Sequence, residues 1–114
     1  MKLFNKTRGL EIATKVIRAT TTYQRMKGLL GKSKMEVGEA LWIRSCSSIH
    51  TCFMQFPIDV IFVDRQLKVK RVVQNLKPWR PICMALGADS VFELAAGQIS
   101  IGHISKGDLL DVVD

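Results

Sequence analysis

No apolar run in the sequence approaches the ~18–20 residues needed to cross a bilayer, which argues against a membrane-spanning helix in this stretch of chain. The first residues, MKLFNKTRGLE, lack the apolar core of a secretory signal, so a cytoplasmic location is expected. Cysteine is scarce and odd in number. Cys46, Cys52 and Cys83 have no paired spacing and do not make a disulfide framework, so they are read as free thiols behaving as small hydrophobes. Internal repeats, low-complexity segments and linkers are absent. Aromatic residues make up only 7% of the chain, and neither an RNP-like nor a helix-turn-helix pattern occurs.

What is present fits one compact domain over residues 1–114, with 47% hydrophobic residues, enough for a core. The net charge is +7 and is unevenly placed. Ten lysines and arginines precede residue 45, from Lys2 to Arg44, against Glu11, Glu36 and Glu39, and the remainder of the chain balances. A basic first segment can attract nucleic acid, an anionic membrane or an acidic partner, or can simply be a solvated surface.

The hydrophobic pattern predicts strands almost throughout. Gly9 to Ala19 reads as a poor first strand without a clean period. Thr21 followed by Gln24 resembles a capping box, Gly31 suits a helix C′ position, and Tyr23, Met26, Leu29 and Leu30 recur at helical spacing. One short helix is therefore expected near residues 22–30. ALWIRS places Leu41 and Ile43 on one face and Trp42 on the other. IDVIFVD is apolar on both faces and suits a strand covered on both sides. LKVKRVVQ sets Leu67, Val69 and Val73 against Lys68 and Lys70. Asp64-Arg65-Gln66 offers no residue for a primed two-residue turn, so a longer hairpin loop beginning at Asp64 is expected. LKPWRP marks a surface loop, VFELAAG another short strand, and KGDLLDVV a turn feeding a last one. The expected fold is mainly β, a small jelly-roll-like sandwich or partly closed barrel.

Chemistry-bearing residues concentrate in CSSIHTCFMQFPIDVIFVD, residues 46–64. Read as an extended chain, Cys46, Ser48, His50, Cys52 and Met54 share one side, with Ile49, Thr51 and Phe53 on the other. Four strand residues separate Cys46 and His50 by ~13 Å, too far for a thiolate–imidazole dyad without a bulge or turn. Cys46, His50 and Cys52, with Cys83 or His103, could supply zinc ligands by residue type, but the spacing matches no zinc knuckle or ribbon. No metal and no cofactor is expected. Asp59 enters an apolar layer and needs a partner, either backbone N–H groups at the turn after Pro57 or a base such as Arg80. Glu93 poses the same problem. Trp79 and Arg80, in the proline-bounded loop, are either a recognition surface or a lid folded on the sheet.

These residues carry a resemblance. SIHTCFMQFPIDVIFVD, then LKPWR, VFELAAG and KGDLL, with RMKGLLG upstream, is similar to a prokaryotic family catalogued as domain of unknown function 192, from about Thr20 to the carboxyl terminus. The matching positions are Arg25, Gly28 and Leu29; Cys46, Ile49, His50, Thr51 and Met54; Pro57, Asp59, Phe62 and Asp64; Pro78, Trp79 and Arg80; and Glu93, Leu94, Gly97, Gly107 and Asp108. The resemblance implies a small β-rich fold of jelly-roll or sandwich type and supplies no activity. The chain departs from the pattern at Cys52, where relatives tend to carry an aromatic residue, which weakens any metal site needing that thiol. It departs again at Ala95-Ala96-Gly97, where relatives often present PAG.

The leading functional expectation is a non-catalytic module for a small ligand or protein partner, using Ser48, His50, Thr51, Asp59, Trp79, Arg80 and Glu93. The second is a hydrolase or thiol-dependent transferase using Cys46 and His50, and the third is nucleic-acid binding through the basic first segment. The thiol reading requires Cys46 to alkylate faster than a cysteine in the unfolded chain, and equal labelling rates would end it.

Overall fold

The computed structural model describes residues 1–19, 35–52 and 54–114. Its described strands are β1 (Lys2–Asn5), β2 (Leu10–Ala13), β3 (Lys15–Ala19), β4 (Glu39–Arg44), β5 (Ser48–Ile49), β6 (Ile58–Val63), β7 (Val69–Leu76), β8 (Cys83–Met84), β9 (Ser90–Ala95) and β10 (Leu110–Val113). A single turn of helix, α1, spans Gln98–Ile101. The fold is mainly β, and among the described residues its sheets are not closed into a barrel. The helix expected near residues 22–30, with Arg25, Gly28 and Leu29, lies outside the described residues.

The frame is a five-stranded sheet in the order β3-β4-β9-β6-β7. All six residues of β6 and all six of β9 are buried, because the sheet is covered on both faces. On one face Leu3, Ile12, Ala13 and Leu110 of the three-stranded sheet β10-β1-β2, with Ile99 of α1, pack against Ala40, Trp42, Ile61, Val63, Phe92 and Leu94. On the other face Ile49 and Cys83 of the two-stranded β5-β8 sheet, with Met54 and Phe56, cover Leu41, Ile43, Ile58, Val60, Phe62, Val91 and Ala95. Continuous apolar runs are what such a doubly covered sheet requires. The alternation of Leu41 and Ile43 against Trp42 is realised in β4.

Three local expectations are corrected. The segment 9–19 forms two strands broken at Thr14, whose N–H and that of Lys15 both turn to the Gly38 carbonyl. Val69 and Val73 lie on opposite faces, because the β6–β7 register slips between Phe62 and Val63; a second slip, between Ile58 and Val60, falls beyond Val73. An irregularity of that kind reverses the side-chain parity beyond it. Finally, the block 46–64 is not one run of central strand: β5 is two residues long and peripheral, and only Ile58–Val63 enters the main sheet.

The hairpin after β6 starts at Asp64, as its composition predicts. The Asp64 carboxylate accepts the Gln66 and Lys68 N–H groups at 2.9 Å each, and Leu67 takes a left-handed φ of 65°. Trp42 stacks on Phe92 at 5.3 Å between ring centroids and donates its indole N–H to the Ser90 hydroxyl at 3.0 Å. The exposed Arg18 and Arg44 guanidinium groups sit over the same indole ring at 5.4 and 5.3 Å, so part of the basic first segment packs on the surface of this tryptophan.

At the far end of the molecule, Asp108 accepts hydrogen bonds from the Asn5 side-chain amide and the Ser105 N–H, both at 3.0 Å, and pairs with Arg8 at 3.5 Å. Burial pushes this carboxyl up, but Asn5, Ser105 and Arg8 together outweigh burial and hold it below the ordinary carboxylate range. A carboxyl lowered in the folded state stabilises the fold above its unfolded pKa of ~3.9, and the contribution is lost as pH falls through the folded-state value. Asp108→Asn is expected to cost ~1–3 kcal/mol at neutral pH, by loss of hydrogen bonds to a charged group. Urea melts across a pH series should show the gap to the wild type narrowing below about pH 4. A gap that stays constant with pH would show that the charge is not what matters there.

Candidate functional site

Thr51 is fully buried and acts as a post for the proline-bounded loop. Its hydroxyl donates to the Lys77 carbonyl at 2.6 Å and accepts the Arg80 N–H at 2.9 Å. Its own N–H donates to the Arg80 carbonyl, and its carbonyl accepts the Trp79 N–H, both at 2.9 Å. The loop is thereby clamped from both sides. Trp79 is held in a left-handed conformation, φ 66°, with its side chain 60% exposed. A bulky residue in that region is uncommon and costs of order 1–3 kcal/mol, so the surrounding bonds must impose it.

Beyond Pro81 the chain passes through β8 and turns at Leu86, with its polarity inverted. Ile82, Met84 and Leu86 are 72%, 47% and 89% exposed, whereas Cys83 and Ala85 are only 6% and 8% exposed. Strand β8 pairs antiparallel with β5, with Ser48 opposite Met84 and Ile49 opposite Cys83, so exposed Ser48 lies on the same outward side as the apolar ridge. Two shallow clefts flank the ridge along β7. One, of about 340 Å³, is lined by Arg71, Lys77, Arg80, Ile82 and Met84 among others. The second, of about 500 Å³, is lined by Lys70, Arg71, Met84, Leu86 and Lys106 among others. They share Arg71, whose guanidinium donates to the Met84 carbonyl. Among the described residues no aspartate or glutamate lines either cleft.

The expected site residues divide. Ser48, Thr51, Trp79 and Arg80 belong to this surface and its support, and half-buried His50 directly precedes the Thr51 post. Asp59 lies elsewhere. It is fully buried in β6, and its carboxylate accepts the N–H groups of Asn75, Gly97 and Ile99 at 2.8, 2.9 and 3.0 Å, joining β6 to the end of β7 and to α1. Those donors replace the Arg80 partner weighed from the sequence. Glu93 is fully buried in β9, opposite Leu41 and Val60 and so on the face covered by β5-β8, a different layer from Asp59.

For the thiols, the Cys46 S–H donates to the Ser48 carbonyl at 2.9 Å. Burial raises the Cys83 thiol above its ordinary value, with Arg71 opposing, so it stays protonated and weakly nucleophilic at neutral pH. Among the described residues no group of three or more His, Cys, Asp or Glu side chains is gathered as a metal site, so Cys46, His50, Cys52, Cys83 and His103 do not form the zinc sphere weighed from the sequence. Sequence reasoning missed Arg71, Lys77, Ile82, Met84 and Leu86. The signal was the alternation in ICMAL, which an apolar-inward reading assigns to the wrong face.

Residues 3–112 match the family described as "Uncharacterized ACR", domain of unknown function 192, and the chain belongs to that family. The match begins well before Thr20. A "UPF0127 protein" of the archaeon Thermococcus sibiricus is 31% identical, the alignment covering 96% of this chain and 73% of the relative. Two crystal structures share the fold. One, from Sinorhizobium meliloti and described as a "putative transcription regulator", has TM-score 0.78 at 21% identity, covering 96% of this chain and 89% of that one. The other, a protein of unknown function from Novosphingobium aromaticivorans, has TM-score 0.77 at 18% identity, covering 97% and 82%. No helix among the described residues is long and apolar enough to cross a membrane.

The Thr51 post is testable by two substitutions. Thr51→Val deprives the Lys77 carbonyl and the Arg80 N–H of their partner and should cost about 2 kcal/mol or more, since each unsatisfied group costs ~1–3 kcal/mol. Thr51→Ser keeps the hydroxyl and should lose only ~1 kcal/mol for the missing methyl. Denaturant unfolding measures the difference, and amide exchange at Trp79 and Arg80 should accelerate in the valine variant alone. Equal costs for both would mean that packing, not the hydroxyl, holds the loop.

Proposed function

We propose that this member of the family is a non-catalytic binding module whose recognition surface is the segment 79–86 with the basic flank of β7. The observation that carries the reading is the inverted alternation at Ile82, Met84 and Leu86. Single exposed apolar side chains are ordinary, but a contiguous ridge rimmed by polar groups marks an interaction site. The ridge stands on a loop fixed by Thr51, so little ordering entropy is lost on binding. Ser48, Trp79 and Arg80 belong to the contact surface, Thr51 and Asp59 position it, and His50 and Glu93 lie behind it.

Nucleic-acid binding is the reading that the net charge of +7 and the Sinorhizobium neighbour's description favour. Against it, Arg8 is paired with Asp108 and Arg18 and Arg44 cover Trp42, which leaves fewer cations for phosphates. Such binding would weaken steeply with salt and show no dependence on the apolar ridge.

The test is site-specific photo-crosslinking in extracts of the source cells, with the photoreactive side chain at position 86. One adduct is expected, competed by the untagged wild type, lost in Ile82→Asp and unchanged in Cys46→Ser. Ile82→Asp is a surface change expected to move stability by less than about 0.5 kcal/mol, so its effect is not unfolding. An adduct pattern that the wild type does not compete, or that Ile82→Asp leaves intact, would overturn the reading.

A further inference from the structure

We infer that the partner is an extended segment of alternating acidic and apolar residues that adds as a strand to the outer edge of β7, beside the Ile82–Leu86 ridge. The inference rests on the binding-module reading and says what the module binds. β7 is the last strand of the five-stranded sheet. Its start is covered, since the Val69 N–H donates to Asp108 and the Val69 carbonyl accepts the Gly107 N–H. From Lys70 to Gln74, among the described residues, no backbone–backbone hydrogen bond leaves β7 except to β6. The two clefts follow this same stretch, so a strand edge with no further backbone partner among the described residues forms their common wall.

The occupant's side chains follow from what faces the edge. Ile82 and Met84 alternate with buried Cys83 along β8 and match apolar side chains at every second position of an added strand, while exposed Leu86 extends the ridge from the turn that follows. Arg71, Lys77, Arg80 and Lys106 line the clefts, with Lys70 already paired with Asp64 at 3.9 Å and no carboxylate among the described lining residues, so the intervening side chains should be acidic. Pairing of this kind draws affinity from main-chain bonds and specificity from alternate side-chain contacts.

Charge also decides against a second copy of this chain. Basic side chains on an edge are a common defence against edge-to-edge association, and here Lys70 and Arg71 would face their own kind across a self-dimer with +7 on each partner. The same cations attract an acidic strand. An edge without a further backbone partner among the described residues is thus closed to self and open to a partner of opposite charge.

The experiment uses the full chain and a short, end-blocked, fluorescently labelled peptide alternating glutamate and valine, read by anisotropy. Two further peptides carry N-methyl groups on the glutamate nitrogens alone or on the valine nitrogens alone. An added strand presents only alternate N–H groups to its neighbour, so one methylated peptide should lose about tenfold or more in affinity and the other should bind like the parent. Lys77→Glu should weaken the parent about tenfold, and a lysine–valine peptide should bind more weakly still. Arg71→Glu serves as the second charge variant.

Equal binding of the parent and both methylated peptides would overturn strand addition while leaving a binding surface intact. Equal binding of the lysine–valine peptide would overturn the acidic partner. A dimer in sedimentation that Leu86→Asp dissolves would assign the ridge to a second copy and overturn the inference. Failure of every peptide, with the crosslinked adduct retained, would overturn the inference alone. Loss of the adduct as well would overturn the binding-module reading on which it rests.

Discussion

The Asp59 carboxylate is the constraint on which the outer half of the molecule depends. It sits in β6, fully removed from water, and accepts N–H groups from Asn75, Gly97 and Ile99. A buried carboxylate without donors would be costly, so these bonds are close to obligatory. Through Asn75, held at a left-handed φ of 53°, Asp59 fixes how β7 ends. The chain leaving β7 is the one that Thr51 then clamps at Lys77, Trp79 and Arg80. Asp59 and Thr51 therefore act in series: one sets where the loop departs and the other sets where it arrives, and the ridge 82–86 takes its position from both.

The main sheet was legible in the sequence because burial on both faces leaves a composition that nothing else produces. IDVIFVD and the Leu41/Trp42/Ile43 alternation transfer directly to β6 and β4. The hairpin at Asp64 was legible too, since the side chain that caps the loop is local to it. The irregular parts were not. Parity in β7 fails at two register slips, and nothing in LKVKRVVQ distinguishes a slipped strand from a regular one. The block 46–54 looked extended because its residues alternate, yet the chain is turned by the hydrogen bonds of Thr51 to partners 26 to 29 residues away. Long-range bonds of that kind leave no local pattern.

The candidate site was half legible for the same reason. Trp79 and Arg80 stood out because prolines bracket them. Asp59 and Glu93 stood out because a carboxylate in an apolar strand must be explained, but the explanation for Asp59 is architectural. The apolar ridge was hidden by the assumption that hydrophobic residues point inward. In ICMAL the small residues Cys83 and Ala85 are buried and the large ones exposed. The inward side chains join the cluster of Phe62 and its neighbours. Small side chains point inward there, and the large ones are left outside.

On the proposed reading, that inversion fits this surface to recognition. Catalysis needs reacting groups held within hydrogen-bond reach of one another in a place from which water can be excluded. Here the polar side chains are spread over three environments: Asp59 under one face of the sheet, Glu93 under the other, and Arg71, Lys77 and Arg80 around open clefts. Recognition asks for something different, a fixed outline with complementary charge and exposed apolar area. The ridge supplies the apolar area and the β7 flank supplies the charge. The buried hydrogen bonds of Thr51 and Asp59 supply the fixed outline, which is a use for buried polar groups that needs no reaction at all.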